Sequence, residues 1–483
     1  MQPSTDPKAR RRFLTQVIIY AFIVILFFLL PPLGAVTPAG MRLLGLFIAF
    51  IYGLTVSTDV WPSLATLVLL PFSSLTTFGG VITLSFGNDT YIFMMLSLVL
   101  VAYMETSGAA SFVATWLLKR PALKGHPWRL MAMLLFVCWL LSSFVNAIAG
   151  MMLTWVFLYE IFSQCQYKPF EKFPSLIMLG TCVVGGLGLS TLPWGNNSVV
   201  ILNAFTNMTG LQVDYFLYMG YSVPYAIVVI FLYLLMCKWL FRVDIQNLAS
   251  FDPDKLSVQS QKLTPAIKLA LCSMAALILL ILLPSCFPAD SAVVSLSKQF
   301  GLSGKLLLVF AVLQLLHIDG EPACSFVKNA KKGVDWKLMM VVANILTFSA
   351  LIGHEKAGIS AFLEDVLAPL FIGKPAFIFI VLAAIATVIC TNFMVNKIIA
   401  VLMISMTMPI ATALGIDPIQ MACLYTVICT VAFILPSASQ SAFVLFSNTE
   451  WVRASYVYKY GLPVIIMMTV VHILWNLLYF SIV

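Results

Sequence analysis

Apolar runs of about 20 residues, long enough to cross a bilayer as helices, recur along nearly the whole chain with short polar intervals between them. They predict spans at Leu14–Leu33, Met41–Val56, Trp61–Thr77, Thr90–Thr106, Pro174–Phe205, Tyr215–Phe241, Pro265–Leu283, Lys305–His317, Trp336–Gly353, Met421–Phe446 and Leu462–Ile482. Two further segments, Leu130–Phe162 and Ala376–Ala413, are longer than one crossing needs at about 1.5 Å per residue. The pattern predicts an all-α polytopic membrane protein with about 11 transmembrane helices and two re-entrant hairpins.

Charge decides how the long segments are threaded. If each is a hairpin that enters and leaves on one side, the outer side receives only Arg42, Lys298, Lys305, Lys356 and Lys374 of the 27 Lys and Arg residues. Lys397 stays within the membrane, and every other basic residue, from Lys8 to Lys459, falls inside, Lys255 and Lys262 among them. This asymmetry is the positive-inside signal and sets the N-terminus inside. A single crossing at Leu130–Phe162 would put Lys119–Arg129 opposite Lys168 and Lys172 and spoil it.

Composition agrees with the pattern: 61% of residues are hydrophobic, 10% are charged, and the mean hydropathy is +1.01. Such a chain belongs in a lipid bilayer, and a bacterial inner membrane is the expected location. The net charge of +8 follows from topology, with attraction to anionic inner-leaflet lipid, and calls for no nucleic acid. Phe13–Leu33 is too long for a signal-peptide core and lacks a small-residue cleavage site, so a retained helix is expected. The ten cysteines show neither a disulfide framework nor a CxxC pattern, and only Cys286 falls clearly in an external loop.

The two halves echo one another. SSFVNAIAGMML in the first hairpin matches NFMVNKIIAVLM in the second, placing Asn146 opposite Asn396, 250 residues on. Gly108 and Gly358 share that offset. Downstream, TLPWGNNSVVIL matches ILPSASQSAFVL, and each run interrupts a predicted helix. The expected organisation is an N-terminal segment with the first helix (1–40), a first repeat (41–243) with its inner-side hairpin at 130–162, an inner linker (244–264), and a second repeat (265–483) with its outer-side hairpin at 376–413. Five crossings separate the first helix from the linker, so the second repeat is expected to be inverted. Inverted repeats with interrupted helices are the architecture of secondary transporters, whose sites sit where half-helices end. Unwound backbone at membrane depth is tolerated where it is buried in protein or lines a wet cavity, and helix N-termini suit anions.

Lys397 carries the most chemistry. An ammonium at membrane depth is costly unless paired or wetted, which makes it a functional hypothesis by default and points to an anionic substrate. With it, the candidate site comprises the hairpin-tip pair Asn146 and Asn396, Gly195, Asn196 and Asn197 in the first loop, and Ser439 and Gln440 in the second.

These motifs resemble the divalent anion/sodium symporter family, carriers of citrate, succinate, related dicarboxylates and sulfate. The resemblance runs from about Met41 to the C-terminus. The family carries a Ser-Asn-Thr signature at each hairpin tip and a Pro-bounded small-residue loop in each broken helix. Here Asn146 and Asn396 keep the asparagines, while Val145, Val395, Ala147 and Lys397 replace the flanking hydroxyl residues. The resemblance implies a homodimer moving small di- or tricarboxylates by alternating access. It also implies sodium held by signature oxygens and loop carbonyls, and those hydroxyls are missing here; hard cations need several oxygen ligands. A sodium site near Asn146 and Gly195 is therefore not expected, and the sodium-independent exchangers are the nearer relatives. Sodium-coupled dicarboxylate or sulfate symport and sodium/proton antiport are the alternatives, the latter needing a midplane carboxylate that the sequence lacks.

Other chemistries find less support. GLSG at Gly301–Gly304 resembles the nucleophile stretch of intramembrane serine proteases, but Ser303 suits an N-cap equally and no positioned histidine accompanies it. HIDGE, His317–Glu321, falls at the inner end of a span, and His472 reads as a packed bundle residue. The expectation is a transporter without catalytic residues, metal or cofactor.

Overall fold

The computed structural model describes residues 7–57, 59–252, 262–288, 290–318, 320–359, 361–362, 365–366, 369 and 375–482. Lys255, Asp319, Lys374 and much of the expected linker lie outside the described residues, as does the side chain of Lys8. The first half forms α1 (Pro7–Leu29), α2 (Pro38–Val56), α3 (Trp61–Leu69), α4 (Phe78–Leu84), α5 (Asp89–Thr106), α6 (Ala109–Leu118), α7 (Pro127–Phe144), α8 (Ala147–Gln164), α9 (Lys172–Gly188), α10 (Ser198–Thr209) and α11 (Tyr215–Leu235). The second half forms α12 (Pro265–Leu282), α13 (Ala292–Leu315), α14 (Phe326–Gly333), α15 (Trp336–Ile352), α16 (Ala376–Thr391), α17 (Asn396–Ala413), α18 (Pro418–Ile428), α19 (Gln440–Ser447) and α20 (Ala454–Ile482).

Helix starts follow local chemistry. Thr37, Asp214, Thr264, Ser291 and Asp335 each accept a backbone N–H from the first turn they precede, and Pro38 and Pro265 occupy first-turn positions where a missing N–H costs nothing. One cap comes from far away. α13 breaks at Gly301 (φ 59°, ψ −168°), and Asp89, at the start of α5, accepts the N–H groups of Leu302 (2.9 Å) and Ser303 (3.2 Å) and the Ser303 hydroxyl. Ser303 is thus held by Asp89 instead of capping the limb itself. The span expected at Lys305–His317 corresponds to that second limb, preceded by a helix the sequence reading left out.

Among the described residues ten helices are long and apolar enough to cross a membrane, or eleven if the bent pair α14–α15 counts as one. The number resembles the expected eleven crossings, but its members differ. The hairpin arms α7, α8 and α17, 18 residues each, are among these ten, whereas α9 and α18 are shorter. At about 1.5 Å per residue an 18-residue arm reaches roughly 27 Å, so length alone does not distinguish a hairpin arm from a crossing. The fold-back of α7 on α8 is visible in their packing: a Cβ on Gly150 would stand 2.8 Å from Ser142 N and 3.1 Å from Cys138 O. Glycine is what lets these arms meet.

The helices expected across 174–205 and 421–446 are each interrupted. α9 stops at Gly188 and α10 starts at Ser198, while α18 stops at Ile428 and α19 starts at Gln440. Every residue from Phe173 to Gly188, and from Met421 to Ile428, is buried, so these two half-helices form the centre of the bundle. α7 and α8 pack on α9, and α16 and α17 on α18. The halves also exchange contacts: α8 meets α19, α17 meets α10, α5 packs on α13 and α14, and α15 packs on α3 and α4. Gly108 (φ 80°, ψ 5°) after α5 and Gly358 (φ 69°, ψ 6°) beyond α15 both adopt the left-handed conformation that glycine takes without strain. α1 packs on α2, touches α3 through Tyr20 and Phe13, and presents Phe22, Ile25 and Leu29 outward, as a lipid-facing helix would. Of the ten cysteines, Cys272, Cys286 and Cys390 are exposed; Cys272 and Cys390 lie within helices, and Cys286 lies beyond the end of α12.

Candidate functional site

The interrupted helices and hairpin tips meet near the middle of the bundle. The first tip is a two-residue turn, Val145–Asn146, between α7 and α8. Asn146 is extended and its side-chain oxygen accepts from Ala149 N at 2.8 Å, capping α8. Beside it lies a cavity walled by Ser143, Phe144 and Val145 from this tip, Trp194, Gly195 and Asn196 from the first break, Phe93, Ser97, Leu98 and Val101 from α5, and Met274 and Leu277 from α12. Three of these walls come from the first half and one from the second.

Lys397 lies in the first turn of α17, 5% exposed, and its Nζ donates to Oδ1 of Asn196. This contact joins the second hairpin to the first break across 201 residues of sequence. An ammonium in the first turn of a helix faces the positive end of the dipole, so the helix itself does not favour it there. No ion pair forms at Lys397 among the described residues, and the amide oxygen of Asn196 is the side-chain acceptor it finds.

Not every predicted site residue converges on this point. Gly195 and Asn196 line the cavity, Asn146 adjoins it, and Lys397 reaches it through Asn196. Asn396 is buried and accepts from Thr391 Oγ1 at 3.1 Å. Asn197 is buried at the start of α10 but makes no side-chain cap. Ser439 caps α19 through Ala442 N (3.1 Å), and Gln440 is exposed; neither lines the cavity. The second loop instead closes on the first broken helix, where a Cβ at Gly186 would lie 3.3 Å from Thr430 O and 3.6 Å from Ser441 Oγ.

The residues that hold both breaks open were absent from the sequence reading. In the second break, Asn392 Nδ2 donates to Val388 O and Val431 O (2.8 Å each) and its Oδ1 accepts from Phe433 N (3.2 Å) and Ile434 N (3.1 Å). Thr391 adds a bond to Cys429 O at 2.8 Å. In the first break, α11 serves instead: Tyr218 donates to Ser190 O (2.6 Å) and Ser222 to Thr191 O (2.6 Å), while Trp139 from α7 donates to Thr191 Oγ1 (3.0 Å). Unwound backbone in a bilayer requires such partners. A signal existed for Asn392, a polar residue in an apolar hairpin four positions before Asn396.

The remaining polar candidates take structural places. His472 is fully buried, bonded to Tyr221 (2.9 Å), which accepts from Asn476 (3.1 Å). His317–Ile318 pairs with Glu321–Pro322 in a two-stranded ribbon. Among the described residues no three His, Cys, Asp or Glu side chains gather as metal ligands.

Residues 47–428 match the citrate transporter family, CitMHS. The chain belongs to the citrate transporter family. It is therefore an integral membrane transporter and not an enzyme. An uncharacterized transporter from Haemophilus influenzae is 25% identical over 172 residues, which is 35% of this chain; the chain spans only about a third (36%) of that relative's length. Two solved structures share the fold. The Alcanivorax borkumensis YdaH transporter superposes with a TM-score of 0.59 at 15% identity, covering 96% of this chain and 97% of that one. Neisseria gonorrhoeae MtrF, described with a class of antimetabolite efflux pumps, gives 0.54 at 11% identity, covering 95% and 97%. Membership of the citrate transporter family does not single out the divalent anion/sodium symporters.

Proposed function

We propose that this transporter carries small di- or tricarboxylates by alternating access, as sodium-independent anion exchange. The observation that carries the reading is Lys397: an ammonium buried at a hairpin tip, bonded to the Asn196 amide of the opposite half, with no carboxylate within ion-pair distance among the described residues. A substrate carboxylate replacing Asn196 would turn an ammonium–amide hydrogen bond into an ion pair and give that ammonium the counter-charge a neutral amide cannot supply. The family description supports the choice of a citrate-like anion.

Exchange follows from a fixed charge. A carrier that returned empty would move a desolvated ammonium without its counter-anion, against a penalty of several kcal/mol. Reorienting only when loaded avoids that state. The same reading makes residues 41–243 and 265–483 inverted repeats, with the N-terminus inside; support comes from the paired left-handed glycines, the like order of hairpin and broken helix, and the exchanged contacts.

Proteoliposomes preloaded with citrate, succinate, malate, 2-oxoglutarate or tartrate test it. External labelled anion should enter only against internal anion, with or without sodium. An absolute requirement for a sodium gradient, or no uptake of any of these anions, overturns the proposal. Cysteines introduced near Lys124 and Lys168 should react from one and the same face; reaction from opposite faces removes the first hairpin.

A further inference from the structure

α14 is a short helix set across the end of α15: the two are bent by 77° at a break of two residues, Val334 and Asp335. If α15 runs through the bilayer, α14 lies near the plane of its surface, on the side that charge counting puts inside. Its sequence, FVKNAKKG, carries Lys328, Lys331 and Lys332, and Lys337 follows just beyond the bend.

One face of α14 is occupied. Asn329 is buried and accepts from Thr106 of α5 at 2.8 Å, Phe326 packs edge-on against Phe310 of α13, and a Cβ on Gly333 would stand 2.4 Å from Leu98 O. Lys332 leans toward Glu105 at 3.6 Å. The other face is uncovered: Lys328 and Lys331 are exposed, Val327 is 64% exposed and, past the bend, Trp336 is 60% exposed. Two carboxylates stand near these lysines, Glu105 beside Lys332 and Asp335 at the bend, where it also caps the N–H of Leu338 at 3.1 Å, and they leave the four lysines in excess.

We propose that this face is a docking strip for anionic phospholipid headgroups. A helix with basic residues beside exposed apolar ones settles in the interface, apolar groups in the acyl boundary and ammonium groups among the headgroups. A cluster of four or more basic residues just outside a membrane helix is the recognised electrostatic match for acidic lipid. Trp336 supplies an aromatic anchor at headgroup level. Headgroup binding would also press α14 onto α5 through the Gly333–Leu98 contact, and Leu98 is a cavity wall.

The test is retention of phosphatidylglycerol by the full chain, purified from membranes of phosphatidylcholine mixed with phosphatidylglycerol and measured by native mass spectrometry. This readout does not depend on which solute is carried, so it stands apart from the proposed function. The wild-type chain should retain phosphatidylglycerol over phosphatidylcholine. The triple variant Lys328→Gln, Lys331→Gln, Lys337→Gln should lose about tenfold or more of it, since each lysine near the surface contributes roughly a fivefold preference and three together roughly a hundredfold. The triple Arg variant at the same positions should keep it, as should a Gln triple at Lys119, Lys168 and Lys459. Equal retention in the α14 Gln variant, or equal loss in the Lys119 triple, overturns the proposal, and so does competition by inorganic phosphate as effective as by lipid.

Discussion

The two hairpin tips have corresponding sequences and opposite tasks. At the first, Asn146 caps its own helix and the turn borders a cavity. At the second, Thr391, Asn392 and Asn396 are tied to one another or to the unwound backbone of the second break, and Lys397 alone reaches across to the first. The breaks differ in the same sense: the backbone of the second is clamped by its own hairpin, while carbonyls of the first are held by α11, with Trp139 of its own hairpin bonding only the Thr191 hydroxyl. Corresponding sequence segments can thus divide labour: the first tip borders a space, and the second supplies a charge and rigidity.

Removing the clamp should do most to break this contrast. Asn392→Ala leaves two backbone N–H groups and two carbonyls of the hairpin and second break without their partner, and should cost at least about 4 kcal/mol of stability given roughly 1–3 kcal/mol per buried group left unmade. A thermal shift in detergent reads it; an unchanged melting temperature would mean the second break needs no clamp. Next comes Lys397→Gln, which removes the charge but keeps a donor. It should weaken anion binding by about 1.5–3 kcal/mol, roughly 10- to 150-fold, with the melting temperature held or raised because a buried charge has gone. Unchanged affinity would place the lysine outside the site. Lys397→Arg should restore part of the affinity, since charge is kept and shape is not.

Smaller effects sharpen the division. Asn146→Ala should lose about 1 kcal/mol of stability with its cap and about 1 kcal/mol of anion affinity with its donor, and a binding titration beside a melt separates the two. Ser439→Ala removes the matching cap on α19 and should lose about 1 kcal/mol of stability while leaving affinity alone. An affinity loss there as large as in Asn146→Ala would restore the symmetric site that the sequence suggests.

Much of the fold was legible because it rests on hydropathy and local chemistry. The hairpins appear as overlong apolar runs, and the breaks as Leu-Pro followed by small polar residues, signals that need no knowledge of neighbours. The first limb of α13 was not, since Ala292–Phe300 is only modestly apolar and its continuation past Gly301 depends on a carboxylate from Asp89. At the candidate site, a charge at membrane depth pointed to Lys397 and an interrupted helix to Asn196, but the similar second interruption also carried along Ser439 and Gln440, which do not line the cavity. Met274 and Leu277 were invisible for another reason: an apolar wall residue looks like any other in a membrane helix until the opposite wall is in place. Tyr218 and Ser222 likewise become partners of the first break only once α11 is packed beside it.

The Asp89 cap also bears on how the chain is made. Its acceptor oxygens are synthesised more than 200 residues before the N–H groups they satisfy, 213 for Leu302 and 214 for Ser303. Helices inserted early must therefore wait in the bilayer with a carboxylate unspent until the later half emerges. Contacts of such long sequence separation close slowly. A gene cut in the linker should yield two fragments that are short-lived apart and that stabilise each other when made together.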